Sequence, residues 1–305
     1  MSRQKVLISS WIIVLCSVIC AVQSFPNKLN LNLKQFLRLR CSLNPTDEIV
    51  TTWKGSAYLQ LYQMEPVNVF DIVGMNIARC LLDEPNRQII LATRETQLYI
   101  DPQTGEKLIE WKNPLTSQTV SVVHVANDPV QSSIPIDQFS IPAYLSYGNK
   151  LILPIDVNLF YPNPLYSNET LRYYSKEKFY EAGEYFKFFT SYEQVMNETL
   201  NSVDQVDISW TRIAPLLPWM NMSQAFTGSL IFSAQGSKVR SLADIDQVLY
   251  QEILRRVPIY QHAPNCQLNT DSETSWTYFK KYFDDYLSKR QEFPIPKSRE
   301  DIPCV

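Results

Sequence analysis

The sequence predicts a mainly β fold, an antiparallel up-and-down barrel carrying helices at its C-terminus, on three observations. Stretches that alternate apolar and polar side chains recur between Thr51 and Ala234, parted by short turn clusters. Aromatic residues make up 12% of the chain while glycine numbers only 7, a composition that suits wide side chains on pleated faces. After Ser241 the apolar period switches from strand to helix.

The first 24 residues carry a basic start (Arg3, Lys5) and an apolar run Val6–Val22. With Val22-Gln23-Ser24 at the cleavage position they predict a signal peptide over 1–24, a mature chain starting near Phe25 and a secreted protein. No later run is long enough to span a bilayer. One domain, residues 25–305, is expected. Residues 25–50 are too ambiguous in period to assign. From Thr51 the alternation sets Trp53, Gly55, Ala57, Leu59 and Leu61 on one face. Further strands are predicted over Val67–Leu82 and Gln88–Ile100. A meander follows through the turn clusters at Asp101–Gly105 and Asn113–Ser117.

Residues 127–140 read as loop. Gly148-Asn149 between Ala143–Tyr147 and Lys150–Phe160 predicts a hairpin. Tyr173–Phe189, Val203–Ala214 and Leu230–Ala234 complete the strands. Leu242, Ile245, Leu249 and Ile253 then recur at helical spacing behind a Ser241/Asp244 capping box, giving a helix near 242–256. Trp276, Phe279, Phe283 and Leu287 give another near 275–289. Roughly nine or ten antiparallel strands must hide their edges, and closing into a calycin-like (lipocalin-like) barrel does so. A β-sandwich with helices is the alternative.

Composition excludes several function classes. No G-x-G-x-x-G, Walker A or G-x-S-x-G is present, so no cofactor is expected. Removing the signal leaves 26 basic against 31 acidic residues and no basic stripe, which speaks against nucleic acid. With two histidines and no H-x-H or H-E-x-x-H, no metal site is expected. Cys41, Cys80, Cys266 and Cys304 remain after signal removal and predict two disulfides, with three pairings open. Asn168, Asn197 and Asn221 head N-x-[S/T] acceptors and predict a glycoprotein.

Alternation also puts polar side chains on apolar faces: His124 with Val120 and Val122, Glu184 with Phe186 and Phe188, and Arg212 with Ile208 and Trp210. Buried charges need partners, so these converge on a candidate catalytic set of His124, Asp128, Glu184 and Arg212. Asp128 would act as base or orient His124, and Arg212 would clamp an anion. The bland reading is a structural ion pair, with turn hydrogen bonds for Asn127-Asp128. Arg94-Glu95 reads as a cross-strand ion pair. Trp53, Tyr99 and Trp210 are candidate ligand-binding walls.

Many spaced motifs add up to a family likeness. They include Arg40-Cys-Ser-Leu-Asn-Pro, Trp53-Lys-Gly, Arg94-Glu-Thr-Gln-Leu-Tyr-Ile-Asp-Pro-Gln-Thr-Gly-Glu, Val123-His-Val-Ala-Asn-Asp-Pro, Ser209-Trp-Thr-Arg, Leu217-Pro-Trp-Met and Glu273-Thr-Ser-Trp-Thr-Tyr-Phe. Over most of the mature length the chain resembles an uncharacterised domain-of-unknown-function family of secreted bacterial and eukaryotic proteins. The resemblance implies a single domain and no particular activity. The chain departs from the family pattern near Ser233, where relatives carry a histidine, and in its cysteines. Three functions follow as expectations. The first is a secreted glycoprotein binding a small, mostly apolar ligand in a barrel cavity. The second is a cofactor-independent hydrolase, isomerase or lyase, and the third an extracellular interaction protein without a pocket. The expected partner is a small molecule, with no stable membrane insertion.

Overall fold

The computed structural model describes residues 27–146 and 148–305. The predicted signal peptide and the start near Phe25 lie outside the described residues. The strands are β1 (Asn27–Leu31), β2 (Ile49–Leu61), β3 (Val67–Asp83), β4 (Gln88–Ile100), β5 (Glu110–Lys112) and β6 (Thr119–Ser121). They continue with β7 (Val125–Pro135), β8 (Ile141–Ser146), β9 (Lys150–Pro162), β10 (Phe179–Ser191), β11 (Asp207–Pro215) and β12 (Gly228–Val239). The α-helices are α1 (Leu33–Arg40), α2 (Glu169–Arg172), α3 (Tyr192–Met196), α4 (Gln247–Arg256), α5 (Ser275–Lys281) and α6 (Phe283–Ser288).

Ten strands form one antiparallel sheet in the order β1-β8-β9-β10-β11-β12-β2-β3-β4-β7, and it curls into a half-barrel. The chain-order neighbours of an up-and-down barrel are present, as is the first-to-last pairing of β2 with β12. The hydrogen-bonded ring is open at one seam, between β7 and β1. Side chains and helices fill that seam instead. At one end α1 packs beneath it, with Phe36 against Phe139 at 5.0 Å between ring centroids. At the other end residues 272–276 reach across: the Glu273 N–H donates to the Pro129 carbonyl at 2.8 Å, while Trp276 meets the Tyr180 ring edge-on at 4.6 Å. No second sheet faces the first, so the sandwich alternative is not what the chain adopts; β5 and β6 form only a small ribbon of their own.

Several boundaries differ from expectation. The ambiguous lead-in is β1 followed by α1, which Asn32 caps by accepting from the Gln35 N–H at 3.0 Å while Gln35 returns the bond. Residues 125–135, expected partly as loop, pair with β4 as β7. That strand is polar because partners elsewhere satisfy it, as when the Gln131 N–H donates to Ser272 Oγ at 2.9 Å. The Gly148-Asn149 turn holds positive φ at both residues, 72° and 63°, the backbone a tight hairpin needs. The first predicted C-terminal helix splits. The Ser241/Asp244 box closes only a 3-10 turn, and Asp246 caps α4. The second breaks at Tyr282 into α5 and α6.

The outward residues Met75, Ile77 and Leu98 are buried as well as the inward ones, because α4 and the turn Pro258–Gln261 cover the convex side of β3 and β4. Strands covered on both faces read as nearly continuous apolar runs, which is how these two appear in sequence. The four cysteines pair as Cys41–Cys80 and Cys266–Cys304, one of the three open arrangements. No helix among the described residues is long and apolar enough to cross a membrane.

Candidate functional site

The pleat decides what faces the hollow. Along β4 the inward set is Leu91, Thr93, Glu95, Gln97 and Tyr99, and register carries that face to Gly74 and Asn76 on β3 and to Trp53 on β2. Trp53 lies across Gly74 and its Nε1–H donates to Gln97 Oε1 at 2.8 Å. A Cβ on residue 74 would stand 2.3 Å from the indole, so the close approach requires glycine there. On the opposite wall Glu184 of β10 and Arg212 of β11 are direct cross-strand partners. Arg212 donates to Glu184 Oε1 and to the Tyr180 hydroxyl, both at 2.5 Å. Trp210 sits beside Phe186, Phe232 and Trp53, with ring centroids about 6 Å apart in each case.

Glu95, Glu184, Trp210 and Arg212 form a belt with a chamber on either side. The larger, about 370 Å³, is roofed by residues 272–276 and walled by Tyr99, Leu159 and Tyr161. The smaller, about 110 Å³, reaches towards α1 and is walled by Trp53, Phe186 and Phe188. Two buried polar atoms of the walls, Trp210 Nε1 and Asn127 Oδ1, have no hydrogen-bond partner among the described residues. Such atoms are costly in a protein interior unless something else meets them.

Burial, with the nearby Glu184 carboxylate adding to it, pushes the Glu95 carboxyl up to about 7, although Arg212 pulls the other way. Burial works against charge on Arg212 too, but Tyr180 and Glu184 outweigh it and its pKa is raised. Glu184 and Arg212 are therefore a committed ion pair, and Glu95 is the belt group that changes charge near neutral pH. A carboxyl raised from its ordinary 4.5 binds its proton more tightly in the fold than in the unfolded chain. The stability that Glu95 contributes is accordingly lost as pH rises from about 4.5 to about 7 and does not change above that. Glu95→Gln is expected to be more stable than wild type by about 1–3 kcal/mol at pH 8, with the gap closing near pH 4.5, as read by urea denaturation at both pH values.

The predicted catalytic set does not assemble. Glu184 and Arg212 meet in the hollow as expected, but His124 and Asp128 line neither chamber. His124 is 1% exposed, accepts the Tyr99 N–H on Nδ1 at 3.1 Å and stacks on the Tyr99 ring. Burial, followed by Lys107 and Arg256, drives its pKa well below the usual histidine value. Asp128 lies between Arg94 Nε and Lys297 Nζ, each at 2.8 Å, in a buried ion network. The alternation around His124 is interrupted, because the chain leaves β6 and enters β7 there. The Arg94-Glu95 pair is divided between the faces: Arg94 points to Asp128, and Glu95 to the hollow.

Trp53, Tyr99 and Trp210, the predicted walls, all line the hollow. Glu95, Gln97 and Tyr180 are site residues the sequence reading did not single out. The signal for the first two was available, since both share the face of Tyr99. Of the acceptor asparagines, Asn168 and Asn197 are exposed and Asn221 is half-buried.

A family model described as "Protein of unknown function (DUF1838)" matches residues 46–283. No curated protein matches the chain. The matched segment holds every belt residue but ends short of α1, Cys41 and Cys304, so each disulfide ties one flanking segment to it.

Proposed function

The chain belongs to the family of proteins of unknown function described as DUF1838, and from its hollow we propose that it is an exported binding protein for a small organic molecule. The observation that carries this reading is a two-chambered, aromatic-walled hollow with polar atoms in its walls that no group among the described residues satisfies. Ligand sites are mostly apolar concavities with a few polar groups that fix orientation, and the belt has that composition. The ligand is amphipathic in this reading, with its apolar body against Trp53, Tyr99, Trp210 and Tyr161 and a polar group at Glu95. Two disulfides support an oxidising, extracellular setting. Exposure of Asn168 and Asn197 supports glycosylation at those two acceptors.

Native mass spectrometry of the protein purified without denaturant tests the binding reading. A small molecule released on activation, and reduced in Ala214→Phe, which fills the larger chamber, supports it. An identical retained molecule in both would place the ligand elsewhere and end it.

A second reading is favoured by one observation, the carboxyl of Glu95 held near 7 beside a fixed Glu184–Arg212 pair. A carboxyl with that pKa can both give and take a proton at neutral pH, the requirement of a cofactor-independent hydrolase, isomerase or lyase. In this version Glu95 replaces His124 and Asp128, which are held by Tyr99 and by the Arg94–Lys297 network respectively. Glu95→Gln would then abolish turnover of a bound molecule while leaving its binding within a few-fold of wild type.

A further inference from the structure

Among the described residues, one cation at the hollow has no counter-charge. Arg40 ends α1 and lines the smaller chamber, with its guanidinium carbon 4.7 Å from the centroid of the Phe188 ring. Among the described residues no carboxylate pairs with it and no side-chain hydrogen bond holds it, and burial alone lowers its pKa to about 10. Arg38, two residues earlier, shows what a structural arginine does in this helix: it donates to the carbonyls of Leu200 and Val195 at 2.8 and 3.2 Å. Lys238, also near Arg40, is likewise occupied, donating to Ser202 Oγ and the carbonyls of Arg38 and Cys41.

The charges of the smaller chamber then do not cancel. Glu184 and Arg212 neutralise each other, Glu95 is about half protonated near pH 7, and Arg40 remains. A half-buried guanidinium without a carboxylate partner among the described residues leaves positive charge on the chamber wall, so the chamber favours an occupant bearing one negative charge. The guanidinium fork matches a carboxylate with two parallel N–H···O bonds, and Phe186, Phe188 and Trp210 offer flat apolar walls next to it.

We infer that the hollow takes an amphipathic carboxylate, its anion seated on Arg40 and its apolar body running along Phe188 and Trp210 past the belt into the larger chamber. This rests on the binding reading above and adds the chemical class of the ligand. Arg212, the anion clamp expected from the sequence, is engaged by Glu184 and Tyr180. Arg40 also precedes the residues matched by the family model, so the anion seat belongs to the flanking N-terminal segment.

The test uses the fluorescent neutral reporter N-phenyl-1-naphthylamine, displaced by 4-phenylbutanoate or by its uncharged counterpart 4-phenylbutan-1-ol. Wild type is expected to prefer the carboxylate roughly 10- to 100-fold. Arg40→Met and Arg40→Gln should each erase the preference, read as the ratio of the two competitors' affinities within each variant, and Arg40→Lys should retain part of it. Two neutral variants are used so that misfolding of one leaves the other to decide. Equal displacement by acid and alcohol in wild type, or a preference that survives both neutral variants, overturns the carboxylate seat and leaves the binding reading standing. Absence of saturable reporter binding, together with no binding of either competitor by calorimetry, overturns both.

Discussion

Arg212→Met is expected to destabilise the protein by about 2–4 kcal/mol at neutral pH. The guanidinium bridges Glu184 and the Tyr180 hydroxyl across β10 and β11, with its side chain 23% exposed and that of Glu184 15% exposed. Removing it leaves Glu184 as an uncompensated carboxylate on the same hollow as Glu95, where the two already repel. The partial exposure keeps the figure below that of a fully enclosed pair. Urea denaturation measures the loss, and pH separates its cause. Without Arg212 the Glu95 carboxyl loses the charge that pulls it down and is pushed further up, so the native state holds its proton more firmly than the unfolded chain does. The deficit is therefore largest at pH 8 and shrinks as pH falls towards 5. Pairing Arg212→Met with Glu184→Leu should restore at least half of the lost stability, because an apolar pair leaves no stranded charge.

The second large effect is at the Cys41–Cys80 disulfide. Its half-cystines are 39 residues apart, and a loop of that length corresponds to about 4 kcal/mol in the chain-entropy account. Cys41→Ala with Cys80→Ala is expected to lose about 2–5 kcal/mol. The loss should be local at first, since the bridge ties the end of α1 to β3 and with it the residues Phe36, Leu37 and Leu39 that plug the seam. Amide exchange over residues 33–40 should accelerate well before that of β10 to β12. Arg40 rides on the same helix end, so reporter binding in this variant should lose its preference for the carboxylate while the larger chamber stays competent.

Much of the sheet was legible because most of its strands obey one pattern. Trp53 to Leu61 alternates cleanly, since one side of β2 faces the hollow and the other is less deeply covered. The seam was the hard part. Leu29, Leu31, Leu33, Phe36, Leu37 and Leu39 satisfy strand and helix periods at once, and only the Asn32/Gln35 capping box marks the helix start. β7 was hidden by its own polarity: Gln131 looks like loop until Ser272 and Leu268 are seen to supply its partners.

The same physics divides the site residues. Glu184 and Arg212 lie mid-strand, where the pleat fixes direction, and both point inward. His124 stands between two strands, where alternation has no authority, and Asp128 adjoins the register shift between β4 and β7. Glu95 was set aside as the partner of its neighbour Arg94, yet adjacent residues in a strand face opposite ways and cannot share a partner there. Carrying the period from Tyr99 back through Gln97 would have placed it at the belt. No sequence pattern could disclose that Arg40 lacks a counter-ion among the described residues, because that depends on what six strands and a helix bring together.

The central claim is that the concave face of this half-barrel is a binding site, and saturation of N-phenyl-1-naphthylamine tests it most directly. Wild type is expected to bind one reporter per chain with quenching of tryptophan emission from Trp53 and Trp210. Ala214→Phe, folded by circular dichroism, is expected to weaken that binding roughly tenfold or more. Binding that is unsaturable, or identical in the two proteins, would contradict the account.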